Sequence, residues 1–408
     1  MDPCFYRRPI HSAGENEASS DAIIILHVDD MRVAASAPVL KDLHDRLYAK
    51  FDITTSDTGR FLGMDTEYNL DTGVLKMHMS TYITATVARF DKFDLSHGFP
   101  YRELVGCLLW MVLCIMGPEL LRIKDLARRS NNFTEGDYKD ALKALARLDE
   151  RKHFGIIYRR GGAGKEFIPA SSRLGGVYLD NNATSENDVT ILLNAIKIPY
   201  STGDDLRDTQ NELKEHDMYK LDKDWDDASL DIKKILAPTN SRFTTVAYSD
   251  ASFAVGVGKQ SISGFHIMIN GIPLLWGSLK QTVVVDSTCS AEYVASSICC
   301  KQILQAENMV QFLCFTCPKP YLMYTDSSAC LAIASTASKL GKVRHVEIRY
   351  HLVRCLVISG DIRLVFCITE DMIADVFTKI VAGAQDARLS ARFYNDCDEL
   401  LFTREVNM

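Results

Sequence analysis

Apolar residues follow two rhythms along the 408-residue chain. "AIIILH", Ala22 to His27, and the run from Met31 to Ala35 flank Val28, Asp29 and Asp30, and predict two strands of a hairpin. "APVLKDLHDRLYAKF" then shows apolar spacings of three and four, the mark of an amphipathic helix. "RFLGMDTEYNL" and "GVLKMHMS" predict strands joined at Asp71-Thr72-Gly73. From "STYITATVARFDKF" through Tyr101 to Arg151 the helical rhythm returns, clearest in "DYKDALKALARLDE". At Phe243 strands resume: "FTTVAYSDASFAV", "SGFHIMIN" and "IPLLWGS", with an Asn270-Gly271 turn between the last two. A long helix from Thr288, strand "YLMYTD", helix "SSACLAIAST", a basic helix, strand "DIRLVFCIT" and a final helix from Glu370 complete the pattern. Three strands followed by alternating helices and strands predict a compact α/β domain with a mixed sheet.

Composition sets bounds on this picture. The longest apolar run, "CLLWMVLCIM" from Cys107 to Met116, stops at Gly117-Pro118. It falls short of the ~18 residues that span a bilayer, so it predicts a buried helix and no membrane partner. "MDPCFYRRPIHSAGE" lacks the apolar core of a signal peptide, which predicts an intracellular protein. The twelve cysteines are then expected as reduced core residues. The net charge of −7 is local: Gly203 to Asp231 holds eleven acids and four bases, and the rest of the chain balances. That stretch predicts a solvated insertion or linker, and whole-chain charge does not exclude a nucleic-acid partner.

Carboxylates carry the candidate chemistry. Adjacent Asp29 and Asp30 repel one another between flanks that favour burial, and so require a cation or hydrogen-bond donors. In the second α/β unit Asp250 follows apolar "TTVAY", Glu292 lies one turn into the long helix, Asp326 closes "YLMYT", and Asp375 lies in "EDMIADVFTK". Four such acids converging on one sheet edge call for hard divalent cations, the arrangement that cleaves phosphodiesters. Spacing alone leaves open that Asp326 is a helix cap and Asp250 part of a turn. "SKLGKVRHVEIRYHLVRC" concentrates bases; on a helix Lys342, Arg344, His345, Arg349 and His351 offer a face that tracks phosphates, or simply a solvated one.

These segments also carry a family resemblance. "YSDASFAVGVGKQSISGFHIMINGIPLLWGSLKQTVVVDSTCSAEYVA", "YTDSSACLAI", "VRHVEIRYHLVR" and "IADVFTK" resemble, in order, the RNase H domain that ends copia-type LTR retrotransposon Pol polyproteins. "HVDD", "FLGM", "YRELVGCLLW" and "YKDALKALARL" resemble the same family's reverse transcriptase from palm hairpin to thumb and connection. The resemblance implies an α/β (α+β) chain: partial palm over 1–100, helical thumb and connection over 101–160, acidic linker or insertion over 161–242, RNase H-like mixed-sheet domain over 243–380, and C-terminal tail over 381–408. It implies that Asp250, Glu292, Asp326 and Asp375 hold Mg²⁺ or Mn²⁺ and cleave RNA in an RNA–DNA hybrid, and that His345 lies near the scissile phosphate. Asp29 and Asp30 correspond to the palm aspartates, whose partner in the family is Mg²⁺ with a nucleoside triphosphate.

The sequence departs from the family in places. A further palm aspartate and the fingers precede the hairpin in the family, whereas only twenty residues precede Asp21, so an incomplete polymerase is expected. His27 stands where the family has Tyr, "DASFAVG" replaces Asp-Trp-Ala, and Asp286 adds a charge near Glu292. The rest of a Pol polyprotein is an expected partner. The expected location is cytoplasmic, with the nucleus and virus-like particles as alternatives. Two other readings stay open: a catalytically inactive remnant or nucleic-acid-binding module, and a clipped form of a full reverse transcriptase.

Overall fold

A computed structural model describes residues 5–8, 22–27, 30–35, 37–55, 59–69, 72–92, 98–159, 245–255, 260–312, 317, 319–335 and 352–395. Mixed helices and sheets make up the chain, as expected. Three antiparallel strands come first: β1 (Phe5–Arg8), β2 (Ala22–His27) and β3 (Asp30–Ala34), with β2 central and His27 paired with Asp30. Helix α1 (Ala37–Tyr48) follows and buries no residue. A second antiparallel sheet joins β4 (Asp65–Asn69) and β5 (Val74–His78) to β6 (Gly155–Arg159). Between β5 and β6 run α2 (Ser80–Asp91), α3 (Tyr101–Cys114), α4 (Leu120–Arg128) and α5 (Glu135–Glu150). Helix α5 starts on a capping box in which Thr134 and Asp137 bond each other's backbone amides. Helix α3 ends before Gly117-Pro118, as the sequence predicts.

The second α/β unit is a five-stranded sheet in the order β11-β10-β7-β8-β9, from β7 (Thr245–Ser252), β8 (Ile262–Ile269), β9 (Ile272–Lys280), β10 (Tyr321–Thr325) and β11 (Ile362–Phe366). The β7-β8-β9 meander is antiparallel, whereas β10 and β11 add in parallel on the other side of β7. The predicted Asn270-Gly271 turn has both residues at positive φ, 52° and 76°, which suits a tight hairpin. Among the described residues, the α-helices of this unit are α6 (Thr288–Phe312), α7 (Ser328–Ser335), α8 (Leu352–Ile358) and α9 (Gly383–Tyr394).

Alternation along the strands feeds two cores. Ala247, Ile267, Met323 and Leu364 pack with Val294, Cys299 and Ile303 of α6 and Val353 of α8. Tyr248, Met268, Tyr324 and Val365 point the other way, into a core shared with Phe377, Leu389 and Phe393 and with Leu104, Leu108, Met111, Leu145 and Leu148 of the first helices. Both faces of the sheet are therefore covered, which explains why consecutive residues of β7, β10 and β11 send apolar side chains to both sides. The described cysteines are free thiols. Among the described residues no helix is long and apolar enough to cross a membrane.

The chain differs from its sequence reading in three places. Two short 3₁₀ helices, Thr369–Asp371 and Ile373–Phe377, replace the single helix expected from Glu370, with Met372 extended between them at φ −74°, ψ 90°. Ile373, Ala374, Asp375, Val376 and Phe377 are all buried, so packing on every side displaces the two-faced helix that the spacing suggested. "GIIYR", within the span read as helical, is β6, fixed by its ladder to β5. The segment read as a tail contains α9, whose Leu389, Phe393 and Tyr394 are buried. The acidic stretch and the predicted basic helix through His351 lie outside the described residues.

Candidate metal centre

Sheet register sets two of the acids side by side. Strands β7 and β10 are parallel, with Val246, Ala247 and Tyr248 opposite Leu322, Met323 and Tyr324. Continued by two residues, that register brings Asp326, just beyond β10, level with Asp250 near the end of β7. Asp375 arrives from the 3₁₀ helix Ile373–Phe377, which packs across β7 and β8. Gly264, opposite Asp250 on β8, allows that approach: a Cβ there would lie 2.8 Å from the Ala374 carbonyl oxygen and 2.7 Å from Thr378 Cγ2. One carboxylate oxygen from each of Asp250, Asp326 and Asp375 falls within 4.8 Å of the others.

Glu292 lies in the first turns of α6, which packs against β7 and β8, near enough to Asp250 and Asp326 to feel their charge. Burial pushes its carboxyl up to about 9, and the charges of Asp250 and Asp326 add to the rise, against a backbone hydrogen bond from Ala251. Its Oε2 is buried without a hydrogen-bond partner. Asp375 is pushed up to about 7 by burial and then by Asp250, and Asp326 is raised by the same two causes. Acids that resist ionisation because they are dry and mutually repulsive lack positive charge. Hard divalent cations prefer such all-oxygen donor sets, so the triad of Asp250, Asp326 and Asp375 could hold one.

Among the described residues, Lys379 supplies a counter-charge to the cluster. Its Nζ lies 3.0 Å from Asp375 Oδ1 and 3.5 Å from Asp250 Oδ2. Thr378 Oγ1 donates to the same Asp250 Oδ2, and Thr369 Oγ1 donates to Asp326 Oδ2 at 3.3 Å. These residues escaped the sequence reading. The four-residue step from Asp375 to Lys379 was a signal for the lysine, whereas the threonines come near only through tertiary packing.

The structure thus brings Asp250, Asp326 and Asp375 together within 4.8 Å; Glu292 feels the charges of Asp250 and Asp326 but does not belong to that group. Asp30 is exposed at the start of β3 and, among the described residues, joins no group of three metal-ligating side chains. Asp29, Lys342, Arg344, His345, Arg349 and His351 lie outside the described residues.

Curated relatives of the chain are copia-type retrotransposon Pol polyproteins from plants. The retrovirus-related Pol polyprotein from transposon TNT 1-94 of Nicotiana tabacum is 27% identical over 135 residues. Those from transposons RE1 and RE2 of Arabidopsis thaliana are 29% identical over 141 residues and 28% identical over 134. Each match covers 33% of this chain and only 10%, 9% and 9% of the respective relatives. No family model matches. A crystal structure of prototype foamy virus protease-reverse transcriptase aligns with 91% of this chain and 58% of its own, at 13% identity and a TM-score of 0.24, too low to equate the two folds.

Proposed function

We propose that the chain is part of a retrotransposon Pol product whose second α/β unit is an RNase H-type nuclease that cleaves the RNA of RNA–DNA hybrids. The observation that carries this reading is the meeting of Asp250, Asp326 and Asp375 within 4.8 Å, from β7, the end of β10 and the 3₁₀ helix. With Glu292 these residues would hold Mg²⁺ or Mn²⁺. When bound, such cations supply charge stabilisation at the phosphoryl group and make water a stronger nucleophile.

The protein's own contribution is placement. Sheet register holds Asp250 and Asp326 in line, Thr378 and Thr369 fix one oxygen of each, and the tight contact at Gly264 sets the depth of Asp375. Recognition of the hybrid would rest on its phosphates and shape. Lys342, Arg344, Arg349 and His351 are assigned to phosphates, and His345 to the neighbourhood of the scissile one. Asp29 and Asp30 are assigned as palm aspartates by resemblance. The domain divisions, the other Pol parts as partners and a cytoplasmic, nuclear or particle-bound location belong to the same reading.

A labelled RNA–DNA hybrid incubated with the purified chain and Mg²⁺ tests it. The wild type is expected to cut the RNA strand, and Asp326→Asn to lose at least about a hundredfold in rate. Equal cleavage by both, or none by either, overturns the nuclease reading and leaves the non-catalytic binding module as its successor.

A further inference from the structure

Among the described residues, two buried carboxylates share one partly exposed cation, Lys379. Asp250 and Asp375 are both buried, whereas the Lys379 side chain keeps 41% of its surface in solvent. Asp250 Oδ2 receives both the Thr378 hydroxyl and the Lys379 ammonium, so this oxygen is already engaged. A lysine whose stem reaches water can withdraw without burying its charge elsewhere. Charge balance points the same way. Four ionised carboxylates are neutralised by two divalent cations, and an ammonium left 3.0–3.5 Å from the same oxygens would then be one charge in excess.

We propose that Lys379 is a displaceable counter-ion: its ammonium holds Asp250 and Asp375 together in the metal-free protein and leaves them as a divalent cation enters. The proposal rests on the reading of the cluster as a metal centre. Lys379 is thus a positioning residue that keeps the cluster assembled between metal-binding events. Metal binding becomes an exchange of cations, weaker than it would be to the same acids without the lysine.

Calorimetric titration of Mg²⁺ into the full chain near pH 8, together with thermal melts without metal, tests this in the wild type, Lys379→Met and Lys379→Arg. Lys379→Met is expected to melt lower without metal yet bind Mg²⁺ about tenfold more tightly, while Lys379→Arg stays within about threefold of the wild type. A lysine that merely braced the fold would lower both stability and affinity in Lys379→Met, and that result overturns the proposal. So does unchanged affinity. Lys379→Gln, which keeps the length and polarity of the stem, replaces Lys379→Met if the latter does not fold. Failure of the underlying reading has its own signature: no Mg²⁺ heat from the wild type or any variant removes the metal centre and the exchange with it. A normal wild-type isotherm with an unmoved variant removes the exchange alone.

Discussion

Glu292 illustrates how crowding buried carboxylates costs stability. Its carboxyl is pushed up to about 9 by burial and by Asp250 and Asp326, and that of Asp375 to about 7 by burial and Asp250. In an unfolded chain both groups would titrate near the ordinary carboxylate value of about 4. Between that value and the folded ones, the folded chain holds more protons than the unfolded chain, so stability falls as pH rises through the window. The metal-free protein is therefore expected to melt progressively lower from about pH 5 to pH 9. Glu292→Gln, which removes one buried like charge, should flatten this slope and gain on the order of 2 kcal/mol at pH 8, with no gain at pH 4. Mg²⁺ should stabilise the wild type most at the alkaline end, where the carboxylates are ionised, and stabilise Glu292→Gln less. Melting curves across pH with and without Mg²⁺ measure all three; parallel profiles for the wild type and Glu292→Gln would show that the repulsion is absent.

The 3₁₀ helix Ile373–Phe377 is the element on which the cluster's geometry turns, and it rests on a glycine. At Gly264 a methyl group would meet the Ala374 carbonyl oxygen at 2.8 Å and Phe377 Cβ at 3.0 Å, so Gly264→Ala must push the helix off β8. The expected cost is about 1–3 kcal/mol, with hybrid cleavage falling at least about tenfold as Asp375 moves from Asp250. Gly106→Ala at an exposed position of α3, where a Cβ meets nothing within 4 Å, should instead stabilise by about 0.5–1 kcal/mol and leave cleavage unchanged. Equal cleavage by the two variants would show that the Gly264 contact does not set the site. This element also marks where the sequence stopped being legible. The meander β7-β8-β9, its Asn270-Gly271 turn and the acids at strand ends could be read because strand alternation and turn chemistry are local. The 3₁₀ helix could not, since Met372 and Phe377 are buried by packing that no spacing reveals. Strand β6 was hidden for a related reason: five residues, Gly155–Arg159, become a strand only through a partner about eighty positions earlier. Lys379, visible in the sequence as a base, acquires a role only from the acids that folding brings to it.

In the molecule as a whole, the first helices and the five-stranded sheet share one interior. Trp276 of β9 donates its indole N–H to the Val112 carbonyl of α3 at 3.1 Å, and Asn395 donates to the Ile157 carbonyl of β6 at 2.7 Å. Beneath these contacts lies an ionic network. Glu119 Oε1 accepts from Arg147 at 2.7 Å and Arg151 at 2.9 Å, while Asp386 of α9 accepts from the same two arginines. Burial alone would raise the Asp386 carboxyl, but Arg151 and Arg147 hold it below its ordinary value. Both acids are nearly inaccessible, so loss of Arg151 leaves Asp386 with one of its two guanidinium partners and Glu119 with Arg147 and Arg122. Arg151→Ala should cost about 3 kcal/mol. The loss should reach both parts of the chain, because Leu108 and Leu148 stand in the same core as Tyr248 and Phe393. Native-state hydrogen exchange separates the possibilities. If the core is one cooperative unit, the slowest amides of α5 and β8 open with the same free energy in the wild type, and Arg151→Ala lowers both by the same amount. If the helices and the sheet open independently, the two values differ from the start and the substitution moves them unequally. A common fall would make the helices of 101–150 part of what keeps the acid cluster assembled, although none of its carboxylates lies on them.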